Sequence, residues 1–181
     1  MGYEFLKDFK FQEKVSQECI ERYEKKLPAE LIDIWKNYGF GSFMNDYLRI
    51  INPDEIMELF QSSYFNAAEA IPIMATAFGD LIIWENQEFV GIVEYRHGKS
   101  ETIIAGFDVF MILLNDSDSQ KIMFTLNIYE KALKKHGALE FDECYGYVPL
   151  LALGGKKSIA NLKKVKMREH IALIVEMTGE I

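Results

Sequence analysis

Cysteine, histidine and proline are scarce in this chain, which has 2 Cys, 3 His and 4 Pro among 181 residues. Cys19 and Cys144 lie far apart and lack metal-ligand spacing. They read as free, buried thiols in a reducing compartment and not as a disulfide framework. His97, His136 and His170 never stand three or four residues from another histidine or a cysteine, which argues against zinc. Long apolar runs are missing too. The longest, "VFMILL" at 109–114, is far too short to cross a bilayer. The opening "MGYEFLKDFKFQEK" has no apolar core of signal-peptide length. These absences predict a soluble, cytoplasmic protein without metal or cofactor.

Positive charge is short over most of the chain. Residues 1–120 hold 10 Lys and Arg against 21 Asp and Glu, a net of −11. Residues 121–181 hold 10 against 7, a net of +3. The acidic part repels nucleic acid and attracts a basic partner. With 49% hydrophobic and 27% charged residues, the composition is globular. A chain of this size buries roughly 70% of its unfolded surface without metal or disulfide support.

Apolar residues Val15, Cys19, Ile20 and Tyr23 fall at helical spacing within Gln12 to Lys26. Pro28 ends that pattern and suits the first turn of a second helix carrying Leu31, Ile32, Trp35 and Tyr38, which Gly39 stops. Trp35 and Tyr38 share the stripe of Leu31 and so read as core, not as a stacking platform. "YLRII" predicts a strand. "NPDE" predicts a helix start, with Asn52 as cap, Pro53 at the first position and Glu55 closing a capping box. From Ile73 the period changes to two: "IMATAF", "LIIWE", "FVGIVEYR" and "TIIA" are strand-like. The turns between them, Gly79-Asp80, Asn86-Gln87-Glu88 and His97-Gly98-Lys99, are short enough for antiparallel hairpins. Asp108 is placed to cap a short helix over "VFMILL", "NDSDSQ" (115–120) reads as a linker, and Leu126, Tyr129, Ala132 and Leu133 predict a helix ending at Gly137.

The Gly-Gly-Lys-Lys-Ser segment at 154–158 suggests a phosphate loop, but two requirements fail. Leu150 stands where the first glycine belongs, and Lys157 stands where Ser or Thr must follow the lysine. The expectation is instead a turn, with Ser158 capping a helix of Ile159, Leu162 and Val165. Lys156, Lys157, Lys163, Lys164, Lys166 and Arg168 would then form a basic helix able to grip phosphates, or simply its solvated face. Beside Cys144, Asp142 and Glu143 disfavour a thiolate. "NDSDSQ" lacks the glycine and the closing carboxylate of a calcium loop. No enzyme signature emerges.

Residues 129–177 resemble the C-terminal domain of Tdi-type immunity proteins of type VI secretion. The residues that carry the resemblance are Gly137 and Leu139, then Glu143, Tyr145, Gly146, Tyr147, Val148 and Pro149. Leu153, Gly154, Gly155, Leu162, Lys164 and Val165 complete it. Upstream, "LPAELIDIWKNYGFGSF", "YLRIINPDEI" and "FGDLIIWE" (27–85) resemble the GAD-like domain that commonly precedes it, in a SUKH-like layout. Where relatives often carry several histidines near 167–170, this chain has only His170. The resemblance implies a protein that neutralises a toxin, in the best-known cases a DNase, by contact and without catalysis.

The expected fold is α+β, an antiparallel sheet flanked by helices (1–117) with a smaller, mostly helical region packed on it (118–181). A basic toxin is the expected partner; nucleic acid and membrane are not. The candidate contact residues are Asp46, Asp54, Glu55, Glu58, Asp80, Glu85 and Glu88, acids in or beside predicted turns and helix starts. Gly137, Glu143, Tyr145, Gly146, Tyr147, Pro149, Gly154 and Gly155 are expected to be structural. Sheet edges leave a homodimer open. A second reading places a small ligand between the sheet and the last fifty residues, near Tyr145, Tyr147 and Lys156. A third uses the basic 156–168 segment on nucleic acid.

Overall fold

A computed structural model describes residues 3–181. Seven strands form one antiparallel meander in chain order: β1 (Lys10–Glu13), β2 (Phe40–Phe43), β3 (Leu48–Ile50), β4 (Ala70–Thr76), β5 (Leu81–Glu85), β6 (Phe89–Glu94) and β7 (Lys99–Ala105). The helices are α1 (Gln17–Tyr23), α2 (Ala29–Tyr38), α3 (Pro53–Gln61), α4 (Phe107–Asn115), α5 (Ser117–Met123), α6 (Leu126–His136) and α7 (Met167–Thr178). A separate hairpin pairs β8 (Glu143–Tyr147) with β9 (Leu162–Lys166).

Both faces of the meander are covered, which is why its inner strand β5 is apolar from Leu81 to Trp84. Leu81 and Ile83 point to the side of Ile56 and Phe60 on α3 and Ile171 and Ile174 on α7. Ile82 and Trp84 point to the side of Trp35 on α2 and Phe107 and Phe110 on α4. Each such side chain contributes roughly 1.5–3 kcal/mol when fully buried. Trp35 is a core residue, edge-on to Tyr23 at 6.0 Å and Phe40 at 5.3 Å. The fold is α+β with an antiparallel sheet.

Five local expectations are corrected. The first helix is shorter than Gln12–Lys26 because Ser16 accepts a bond from the Cys19 amide (3.1 Å) and starts it, while the residues before it pair with β2 as β1. "NDSDSQ" is no linker: the Asp116 carboxylate accepts from the Ser119 amide (2.8 Å) and caps α5. Gly106, not Asp108, occupies the cap position of α4. The basic helix does not exist. Leu162–Lys166 is β9, extended by its ladder with β8, and Ser158 makes no capping bond. Asn52 does cap α3, accepting from the Asp54 amide (3.1 Å), but no Glu55 side-chain bond closes the box.

The C-terminal part seals one end of the sheet, where the β2–β3 and β4–β5 turns lie. Arg49 of β3, only 2% exposed, donates from Nη1 to the carbonyl oxygens of Phe141 (3.1 Å) and Glu143. The Tyr145 amide donates to Ala77 O (2.8 Å), and the Tyr129 hydroxyl to Asn45 O (2.6 Å). The turn so gripped holds Met44, Asn45 and Asp46 in left-handed conformation, with φ of 53°, 54° and 65°. Conformations of that kind cost L-residues roughly 1–2 kcal/mol each. The Asp8 carboxylate offsets this by accepting from the Met44 (3.0 Å) and Asn45 (2.5 Å) amides.

Between β8 and β9 the chain folds back on itself at Gly155. A Cβ there would meet Leu150 O at 2.7 Å and collide with Pro149 O, both backbone atoms that cannot step aside. Gly155→Ala is expected to destabilise the protein by roughly 1–3 kcal/mol. Tyr145→Phe, which removes a 2.6 Å bond to Gly137 O, should cost about 1 kcal/mol. Urea denaturation of the two variants should rank them in that order.

Candidate functional site

The seven candidate acids separate into two groups at opposite ends of the sheet. Asp54, Glu55 and Glu58 lie on the first turns of α3, and Glu85 and Glu88 flank the β5–β6 turn at the same end. Asp46 and Asp80 lie at the other end, in the β2–β3 and β4–β5 turns. Their availability differs sharply. Glu58 is 93% exposed as a side chain and meets only Arg168, at 3.5 Å. Glu55 and Glu88 are exposed. Asp54 is engaged by the Tyr23 hydroxyl and Arg22, each at 2.7 Å, and Glu85 by Tyr64 (2.8 Å) and Asn66 (2.6 Å). Asp46 is tied to Lys10 (2.5 Å) and Ser42 (2.6 Å). Asp80 is 1% exposed, which removes it from any contact surface.

Around α3 the acids gather from several elements. Cys19, Arg22 and Tyr23 bring α1 against Asn52 and Asp54. Burial and the neighbouring Glu13 push the Glu55 carboxyl above its usual range. A groove of about 330 Å³ runs from Asn52, Glu55 and Ile56 to Asp142 and Glu169 at the start of α7. This acidic face therefore takes residues from both ends of the chain.

Lys163, Lys164 and Lys166 do not form one cationic face. Lys164 Nζ donates to Ala138 O (3.0 Å) and Lys166 pairs with Asp142 (2.7 Å), while Arg168 sits on α7. Cys144 is fully buried, and burial raises its thiol to about 12. Burial, more than its acidic neighbours, makes it unreactive. Among the described residues no group of three or more His, Cys, Asp or Glu could hold a metal, and no helix is long and apolar enough to cross a membrane.

Two comparisons bear on this arrangement. The GAD-like domain model matches residues 3–95, just over half of the chain, and the model described as T6SS immunity protein Tdi1, C-terminal, matches 105–178. The chain belongs to the GAD-like family and ends in a type VI secretion immunity domain. The crystal structure of Atu4351 from Agrobacterium tumefaciens superposes with a TM-score of 0.79 at 18% identity, covering 97% of this chain and 89% of that one, a likeness of fold. A search of curated proteins finds no match.

Within the immunity domain the motif residues have definite contacts. The Tyr145 hydroxyl donates to Gly137 O, and the Glu143 carboxylate accepts from the Glu140 amide (2.9 Å). A Cβ on Gly146 would strike the His170 ring, so glycine is what lets α7 lie directly on β8. Gly154 is left-handed at φ 84°, and Pro149 follows a cis peptide bond.

Where the immunity domain meets the GAD-like half there is a cavity of about 410 Å³. Tyr95, Arg96 and His97 at the end of β6 form one wall, Leu150 and Leu151 another, and Tyr147, His170 and Ile174 the third. Tyr147 lines it as the ligand reading expects; Tyr145 is sealed between Phe78 and Tyr129, and Lys156 is exposed elsewhere. Arg96, His97 and His170 were not singled out for this site from sequence. The only hint of Arg96 was a lone cation in the apolar context "FVGIVEYR".

Arg96 is buried over Phe78, its guanidinium carbon 4.3 Å from the ring centre, and Nη2 donates to Asp80 Oδ2 at 3.0 Å. Burial pushes Asp80 up against the pull of Arg96, and Thr76 Oγ1 donates to the same oxygen (3.0 Å). His170 is lowered by burial, and His97 is lowered to about 4 by burial, Arg96 and Lys157. Both imidazoles are therefore neutral at pH 7.

The folded state refuses a proton that unfolded His97 accepts below about 6.5. Its contribution to stability is present above that pH and is lost as pH falls toward 4. Asp80, whose pKa is raised, contributes with the opposite sign, so the readout is a difference. Thermal unfolding across pH 7 to 4 should show a shallower loss in His97→Gln than in the unsubstituted protein.

Proposed function

We propose that this immunity protein neutralises a basic, DNA-cutting toxin in the cytoplasm by stoichiometric contact, with no chemistry of its own. The observation that carries the reading is the acidic face at α3. Its exposed Glu55 and Glu58 lie near Glu13 of the GAD-like half and Glu169 of the immunity domain, with Arg168 and the Lys166–Asp142 pair beside them. A nuclease must present a cationic groove to hold phosphates, and an acidic face of fixed geometry competes for that groove. Glu88, beyond the far end of α3, extends the negative charge toward the β5–β6 turn.

Charge of this kind sets the encounter rate, while residence depends on apolar anchors. Phe65 is 70% exposed in the segment between α3 and β4, at the same end of the sheet, and supplies such an anchor. The fixed acids need no rearrangement, because α1, α3 and α7 are held by the core beneath them.

The test uses a DNA-cutting toxin offered as the partner, the product of a neighbouring reading frame being the first to try. Inhibition of its DNA cleavage should reach completion at one equivalent, and affinity should fall as salt rises from 50 to 500 mM. The triple variant Glu55→Lys, Glu58→Lys, Glu88→Lys should bind about tenfold more weakly or worse, chiefly through a slower on-rate. Affinity indifferent to salt and to these reversals would remove the acidic face from the mechanism. Inactivation by a small fraction of an equivalent would show catalysis instead.

A further inference from the structure

The recess between the GAD-like half and the immunity domain has no part in the proposed toxin contact. At about 410 Å³ it falls within the roughly 300–1,000 Å³ of small-ligand sites. Leu150, Leu151, Ile174 and the Tyr95 ring give it mostly apolar walls. Three polar side chains line it with their bonding capacity unused. The Tyr147 hydroxyl and the rings of His97 and His170 make no hydrogen bond among the described residues. Tyr147 is 2% exposed and His170 7%, so a partner for them has to come from the recess. Buried polar groups left unpaired are costly and uncommon in native proteins. Water is a poor remedy here, because each molecule needs about two to four polar partners and most of this lining is hydrocarbon.

These three groups carry no charge. Both imidazoles are neutral at pH 7, so each offers one donor and one acceptor, and the tyrosine hydroxyl offers both. Arg96 is part of the wall, but its charge is already spent. Its Nη2 donates to Asp80 at 3.0 Å and lies 3.8 Å from Glu94, and its guanidinium is buried over Phe78. No free cation therefore faces the recess to hold an anion. Positive potential from Arg96 and Lys157 at His97 opposes a cation. What remains is a neutral ligand with both a donor and an acceptor.

We infer that this recess binds a small uncharged molecule with a carboxamide edge on a compact apolar body. The Tyr147 hydroxyl donates to the amide oxygen, an imidazole nitrogen accepts from the amide N–H, and the body lies against Leu150, Leu151 and Ile174. One amide uses the donor and the acceptor that the lining leaves open, and the apolar walls favour a hydrocarbon remainder over a second polar group.

Four probes of nearly one shape test this: benzamide, benzoate, benzylamine and toluene. NMR titration of the full chain should show benzamide bound, with the other three about tenfold weaker or silent, because each lacks the paired donor and acceptor or carries an unmatched charge. Tyr147→Phe deletes a hydroxyl that no described protein group uses, so the fold should persist while benzamide weakens about tenfold, to the level of toluene. Ala152→Trp, at an exposed position on the rim, should block benzamide without unfolding. Failure of benzamide to bind would overturn the inference and leave the recess to water. Benzoate or benzylamine binding as tightly as benzamide would overturn it too, as would undiminished binding to either variant.

Discussion

The buried guanidinium of Arg49 is the contact on which the rest of the architecture turns. A charge at 2% exposure is costly unless its donors find acceptors; here Nη1 meets two carbonyls of the immunity domain, while Nη2 has no partner among the described residues. Burial lowers the pKa of Arg49, so the protein carries an electrostatic cost at this point. The cost is offset only while residues 141–143 stay in place, so the end of the sheet and the immunity domain stabilise one another. The Tyr145–Ala77 bond and the Tyr129 hydroxyl on Asn45 work in the same direction, at neighbouring turns.

This docking explains how two family matches produce one set of surfaces. α7 lies against β8 through the His170–Gly146 contact and also packs on the sheet beside α3. The acidic face at α3 and the cavity at Arg96 thus lie on different sides of α7, and both draw residues from both halves. One is exposed and charged, suited to a large partner. The other is a half-open recess with mostly apolar walls.

The hairpins from Ile73 to Ala105 were legible because alternation and turn chemistry agreed. Asn86 and Gln87 both adopt positive φ, 53° and 55°, as a two-residue turn between right-twisted strands requires. The C-terminal hairpin was not legible. Ile159, Leu162 and Val165 recur every three residues and imitate a helix, whereas the extended state of Leu162–Lys166 is decided by pairing with β8 across a long connection. β1 and β2 were missed because their residues, KFQE and FGSF, show no alternation of apolar and polar positions. The acids of α3 could be proposed as a surface from their positions alone. The burial of Asp80 could not, since turn acids are ordinarily solvated and only the fold brings Arg96 and Thr76 around it. The cavity was anticipated at the right seam through Tyr147, but its distinguishing group, Arg96, lies outside the motif that drew attention there.

The grip on the Met44–Asp46 turn and on Ala77 also constrains inheritance. Gene shuffling that joined this GAD-like half to an unrelated terminal segment would leave Arg49 without its carbonyls and the left-handed turn without Tyr129. Recombinants crossing over near residue 100 would begin life with a charged hole in the sheet's end. The two segments therefore depend on each other as a folded pair, and an exchange of either one alone is expected to cost stability.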